Sequence, residues 1–263
     1  MAKKIMLCNE KGGVGKTTSS VNISACLAKM GFKVLGMDFD KQSHMTKSFG
    51  IKYDRLEKSL VEVFLGKCVL QDAIIPFSEN LHVLPARPDL IEVAQMPEVA
   101  NHARKNEIIK FKLYEIEADY DYIIMDTPPS ATHLLVQNCF AMADYVIVPL
   151  ELAAFSIDGL KQFINIVAGV REQFLNPGIK IMGLLITFYE TNPPKDMQFH
   201  MDKLMEGTQG RIAVFGSKIR KNTDLRKAAT NGKPITLFNK HCHGYADYMS
   251  LTEEILQYAP AAV

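Results

Sequence analysis

The 263-residue chain has no two cysteines close enough to form a CxxC unit. Its five cysteines, Cys8, Cys26, Cys68, Cys139 and Cys242, are scattered and odd in number. That disfavours a disulfide framework or a cysteine zinc site, and a reducing cytoplasm is the compartment this usage fits. No apolar run approaches the roughly 20 residues that a membrane-spanning helix needs. The basic start at residues 1–4 leads into an apolar run at 5–8 that is far too short for a signal peptide. Charge of neither sign dominates, since 30 Lys and Arg against 29 Asp and Glu give a net charge of +1. Bulk electrostatics therefore favours no nucleic acid or membrane surface; only a local patch could. Internal repeats, low-complexity tracts and linkers are missing too. The expectation is one domain over residues 1–263, with 48% apolar residues to fill its core.

What is present is an alternation of short apolar runs with helical patterns. Strands are expected at 5–9, 33–38, 81–85, 122–126, 145–150 and 180–187, with a weaker candidate at 212–215. Helices are expected at 17–30, 132–142, 156–174, 196–206 and 245–258. Strands that are apolar throughout and alternate with helices imply an α/β fold: a doubly wound, mostly parallel sheet flanked by helices. Residues 50–80 are the least regular stretch.

Between the first strand and the first helix stands Lys11-Gly12-Gly13-Val14-Gly15-Lys16-Thr17-Thr18. It departs from GxxxxGK[ST], because Glu10 holds the usual first glycine position; the loop reads KGGxGKT[ST] instead. Strand, glycine turn and helix follow in the order a phosphate-binding loop requires. Glycines let successive backbone N–H groups face one anion, and the helix start adds its positive dipole end. Lys16 then reaches the β- and γ-phosphates, the Thr17 hydroxyl ligates magnesium and Thr18 contacts the α-phosphate.

Three carboxylates accompany the loop. Asp38 and Asp40 close the second strand, where a carboxylate either orients water or holds magnesium, or else builds a turn or caps a helix. Asp126 ends the apolar run Tyr122-Ile123-Ile124-Met125, as a Walker B carboxylate does, and is expected to hold magnesium through water. Thr127-Pro128-Pro129 follows and stiffens the loop beside the γ-phosphate. No N-K-x-D guanine-reading motif appears, so ATP is favoured over GTP.

Together these residues resemble the ParA/Soj chromosome- and plasmid-partition ATPases, within the MinD/ParA class of P-loop proteins. The resemblance spans nearly the whole chain. It is carried by the loop from Lys11 to Thr18, Val21-Asn22, Asp38-Phe39-Asp40, Asp126-Thr127-Pro128-Pro129-Ser130, Gly232-Lys233-Pro234-Ile235, and Gly244, Ala246 and Tyr248. It implies an ATP-driven face-to-face homodimer in which Lys11 reaches the partner's nucleotide, and it gives catalytic roles to Lys11, Lys16 and Asp40. It also implies non-specific DNA binding, a ParB-type centromere-binding partner that stimulates hydrolysis, and a cytoplasmic, nucleoid-associated location. Departures are visible: Lys41 replaces the usual proline after Asp40, and His44 stands near a usual asparagine. Asp224 replaces an arginine that often contacts DNA. The arginine often found before the Thr191-Asn192 pair is missing.

Lys218, Arg220, Lys221, Arg226 and Lys227 lie within ten residues and, with Lys195, are the candidates for DNA phosphate contacts; a solvated loop and helix face is the bland alternative. Arg220 is also a candidate for flanking the adenine. Of the rival readings, a membrane-acting protein like MinD calls for a basic amphipathic C-terminal helix, whereas this chain ends in the acidic Thr252-Glu253-Glu254 stretch. An iron–sulfur ATPase like the nitrogenase iron protein needs two cysteines near the dimer axis, and residues 69–138 contain none. A relative that positions another cargo is compatible with every motif above.

Overall fold

The computed structural model describes residues 1–261 except 131–132, 155, 174, 192–194 and 209, with the backbone alone at 154, 195 and 196. Seven strands form one sheet: β1 (Lys3–Leu7), β2 (Val34–Asp38), β3 (Ile75–Ser78), β4 (Leu81–Leu84), β5 (Tyr122–Asp126), β6 (Tyr145–Glu151) and β7 (Lys180–Thr187). Their order is β3-β4-β2-β5-β1-β6-β7, and only the β3–β4 pairing is antiparallel. The longer helices are α1 (Lys16–Lys29), α2 (Leu134–Met142), α3 (Ile157–Glu172), α4 (Lys195–Thr208), α5 (Thr223–Thr230) and α6 (His243–Tyr258).

Side chains alternate across a strand, so each strand feeds two cores. Ile5 and Leu7 of β1, with Tyr122 and Ile124 of β5, pack beneath α1, α5 and α6. Met6, Ile123 and Met125 point the other way, into a core shared with α2, α3, α4 and the short helices Leu60–Phe64 and Ile108–Leu113. Both faces are thus covered, which is why these strands read as continuous apolar runs.

The doubly wound sheet matches the expectation, and six strands lie where the sequence predicts them, within two residues. The candidate at 212–215 does not become a strand. It touches β7 through one parallel bridge, Leu184 to Val214, where the Leu184 and Phe215 N–H groups bond across the gap. The stretch at 50–80 hides β3. Its Pro76 cannot donate to a ladder, so it is tolerated only because β3 is the edge strand. Expected helix positions 132 and 174 fall outside the described residues.

α1 is fixed by the C-terminal part of the chain. The Tyr248 hydroxyl of α6 lies 3.0 Å from Ser19 Oγ, and Asn22 Oδ1 accepts the Ile235 N–H at 2.8 Å. A tighter constraint sits beside it. Gly50 and Gly232 both have positive φ, and their backbones touch: a Cβ on Gly232 would lie 2.6 Å from Gly50 Cα. Neither backbone can yield as a flexible side chain would. Gly232→Ala should therefore cost about 2–3 kcal/mol and lower the melting temperature by about 5–10 °C. Gly169→Ala, inside α3 with open space around it, should leave it unchanged or raised. Thermal denaturation of both variants checks the contrast.

Candidate nucleotide site

Strand register assembles the site. β5 lies between β1 and β2, and Asp126 is level with Leu7 on one side and Asp38 on the other. The glycine loop leaves the end of β1, so the loop, Asp38 and Asp126 share the carboxyl edge of the sheet, where open α/β sheets bind ligands.

Gly13 and Gly15 have φ of 78° and 85°, conformations that side chains rarely adopt. Gly15 is also the residue before α1, so the loop and the positive helix end meet there. Nothing lies within 4 Å of a Cβ placed on Gly12 or Gly13, which leaves open space over the cradle. The loop is held from outside by Thr187, whose hydroxyl donates to the Val14 and Leu150 carbonyls at 3.0 Å each. Lys16 is buried, and its ammonium donates to the Asn9 and Lys11 carbonyls, both at 2.9 Å. Burial pushes its pKa below the ordinary lysine value, against the opposing pull of Asp126. The Lys11 side chain is exposed on the rim, and its N–H donates to Asn9 Oδ1. Thr17 and Thr18 line the cleft on the first turn of α1.

The three carboxylates play different parts. Asp126 is fully buried; Oδ1 accepts from Ser20 Oγ at 3.0 Å, while Oδ2 has no hydrogen-bond partner among the described residues. Desolvation, reinforced by Asp38, pushes its pKa up to about 8. A buried, unpartnered carboxylate oxygen beside a buried lysine and the Thr17 hydroxyl suits a hydrated divalent cation. Asp38 is equally buried, and both of its oxygens accept hydrogen bonds. Oδ1 accepts the Asp40 N–H, and Oδ2 accepts both the N–H and the hydroxyl of Thr46. In this structure these bonds make Asp38 a brace for the loop after β2; burial raises its pKa to about 6. Asp40 lines the cleft, with Oδ1 accepting the Gln42 N–H at 2.9 Å.

The cleft encloses about 600 Å³. Besides the expected residues it is lined by Gln42, Ile91, His133, Leu135 and Phe188, none of which carries a motif signal in a single sequence. Thr46 carries none either; its hydroxyl also accepts the Ala86 N–H after β4. Among the described residues, the non-glycine positions with positive φ are Ser43 and Phe188, each costing about 1–3 kcal/mol. Both flank this cleft.

Arg220 is not among the cleft-lining residues. Its backbone N–H and guanidinium are held by Asp247, which satisfies the charge locally. Lys218 leans on the Tyr189 ring, and Lys227 lies 3.7 Å from Asp224. Lys221 and Arg226 are exposed. The side chain of Lys195 lies outside the described residues.

The AAA domain family model matches residues 2–181. The chain is 34% identical to the sporulation initiation inhibitor protein Soj of Bacillus subtilis, over 97% of this chain and 98% of that protein. It is 32% identical to the chromosome partitioning protein ParA of Myxococcus xanthus, over 96% of this chain and 87% of that protein. Among solved structures, cobyrinic acid a,c-diamide synthase from Mycobacterium smegmatis with bound ATP analog and magnesium has a TM-score of 0.84 at 27% identity. That likeness covers 98% of this chain and 95% of the other.

Asp126 and Asp38 hold protons in the folded state that the unfolded chain, with carboxyl pKa values near 4, gives up. These two groups therefore make the nucleotide-free protein less stable as pH rises from about 4 to about 8. Asp126→Asn should raise the melting temperature at pH 8 by several degrees, with a smaller gain at pH 5, and should weaken magnesium-dependent nucleotide binding. A pH profile like that of the unaltered chain would contradict a buried, unpartnered charge at this position.

Proposed function

Because the chain belongs to the ParA/Soj family of P-loop ATPases, we propose that it binds ATP-magnesium, dimerises around it and drives plasmid or chromosome segregation. The observation that carries the nucleotide reading is the glycine cradle capped by the buried Lys16 ammonium, beside the unpartnered Asp126 Oδ2. Thr17 and Asp126 are the residues placed to hold magnesium, Asp126 through water. Magnesium, when bound, neutralises charge shared by the β- and γ-phosphates. Lys16 exchanges its two carbonyl partners for phosphate oxygens, and Asp40 orients the attacking water. Lys11, exposed on the rim, reaches the nucleotide of a second copy. DNA is held without base reading by the exposed Lys221 and Arg226 with their basic neighbours, and a ParB-type partner stimulates hydrolysis.

Asp40→Ala should bind ATP, lose turnover and accumulate as a dimer in ATP, seen as a doubled mass by light scattering. A monomer at saturating ATP would count against the dimer cycle. Joint reversal of Lys221→Glu and Arg226→Glu should reduce ATP-dependent retention of random DNA. The slope of log affinity against log salt should also fall by about 0.9 for each phosphate that is no longer neutralised. Unchanged retention would refute this assignment of the DNA surface.

A further inference from the structure

We propose that Phe188 is the platform on which the base of the bound nucleotide stacks; this rests on the ATP reading above and assigns the end of the cleft that the phosphate loop leaves over. The phosphates are accounted for by Gly12, Gly13, Gly15, Lys16, Thr17 and Thr18. Phe188 lines the same cleft. It is a large apolar residue left 40% exposed, and its backbone adopts φ of 52°. Neither core burial nor backbone preference accounts for a phenylalanine there.

Its neighbours hold it in place on both sides. Thr187 before it is bonded through its hydroxyl to the Val14 carbonyl of the phosphate loop. Tyr189 after it donates its N–H to the Ile219 carbonyl, and its own carbonyl accepts the Lys221 N–H, both at 3.0 Å. The backbone that carries the ring is therefore fixed at the end of β7. It rests beside Gly15, with Cε2 3.9 Å from the position a Cβ on Gly15 would occupy. The loop that grips the phosphates and the aromatic face thus form one rigid unit, joined by the Thr187 hydroxyl. An exposed aromatic ring at fixed distance from a phosphate cradle matches the chemistry of a purine nucleotide: charge at one end and a flat π-face at the other. Stacking is indifferent to the hydrogen-bonding edge of the base, so Phe188 contributes affinity rather than a choice between purines.

The chain contains no tryptophan, so Phe188→Trp creates a single reporter while keeping an aromatic face. ATP-magnesium and ADP-magnesium should both quench its fluorescence, the ADP midpoint being independent of protein concentration, and magnesium tripolyphosphate should not. Phe188→Ala should weaken ATP binding by about tenfold in calorimetry and leave tripolyphosphate affinity unchanged, with Phe188→Trp retaining the affinity of the unaltered chain. The proposal is overturned by a silent tryptophan at ATP concentrations where calorimetry records binding. It is equally overturned by a quench that tripolyphosphate reproduces, by an ADP quench whose midpoint follows protein concentration and so reports a second copy covering the ring, or by equal losses for both ligands in Phe188→Ala. If the unaltered chain itself bound no ATP, the nucleotide reading would fall first and the stacking role with it.

Discussion

A lysine ammonium buried at the end of a parallel sheet, level with two buried carboxylates, is the constraint from which the site follows. In this surrounding each charge is costly unless matched. Lys16 meets part of its need with the Asn9 and Lys11 carbonyls. Asp38 meets its need with Thr46 and the Asp40 N–H. Asp126 does not: one oxygen has Ser20, and the other accepts no hydrogen bond from the described residues. The raised carboxyl pKa values and the lowered lysine pKa are the same statement in protons. Ligand-free, this group of charges is destabilising to the fold. An anion over the loop and a hydrated cation at Asp126 would balance it, so ligand binding and stability are coupled here by electrostatics.

The sheet makes that cluster possible by placing the ends of β1, β5 and β2 in register. Had β5 not inserted between them, Asp38 and Asp126 would not be level with each other or with the loop. The cost is borne by turns with special backbone: Gly13 and Gly15 in the loop, Ser43 after Asp40 and Phe188 after β7. Two of these are glycines, for which positive φ is cheap. The other two are not, and they lie beside the cleft, where strain is tolerated because bonds on either side over-determine the chain.

Much of this is legible in the sequence because it depends on local rules. The apolar runs mark six strands, and the glycine spacing marks the loop. The carboxylates at strand ends mark the acidic side of the cleft. What is illegible depends on long-range pairing. β3 is an edge strand containing a proline, so its only strong signal, alternation of Ile75 and Phe77, is interrupted. Thr46 matters because the fold brings Asp38 and Ala86 to its hydroxyl, from eight and forty residues away. Phe188 reads as one more apolar residue until its exposure and backbone are seen. The pairing of Arg220 is hidden for the same reason: its partner, Asp247, is 27 residues downstream.

The same long-range contacts join the cleft to the basic surface. Asp38 grips Thr46 in the short helix His44–Ser48, which follows the cleft residues Asp40, Gln42 and His44. That helix leads to Gly50, whose backbone rests on Gly232, just beyond the end of α5 with its exposed Arg226 and Lys227. The Gly50–Gly232 contact has no side chains in it, so it has no rotamers with which to absorb a shift. Displacement of the 44–48 helix must either move the 228–235 segment or break the contact. On the other side, Asn22 of α1 holds the Ile235 N–H, which ties this segment to the phosphate-binding helix. A basic surface anchored at one end to the loop after Asp40, and at the other to the helix behind the phosphates, is positioned to follow what occupies the cleft. A patch built on an independently packed loop would have no such linkage.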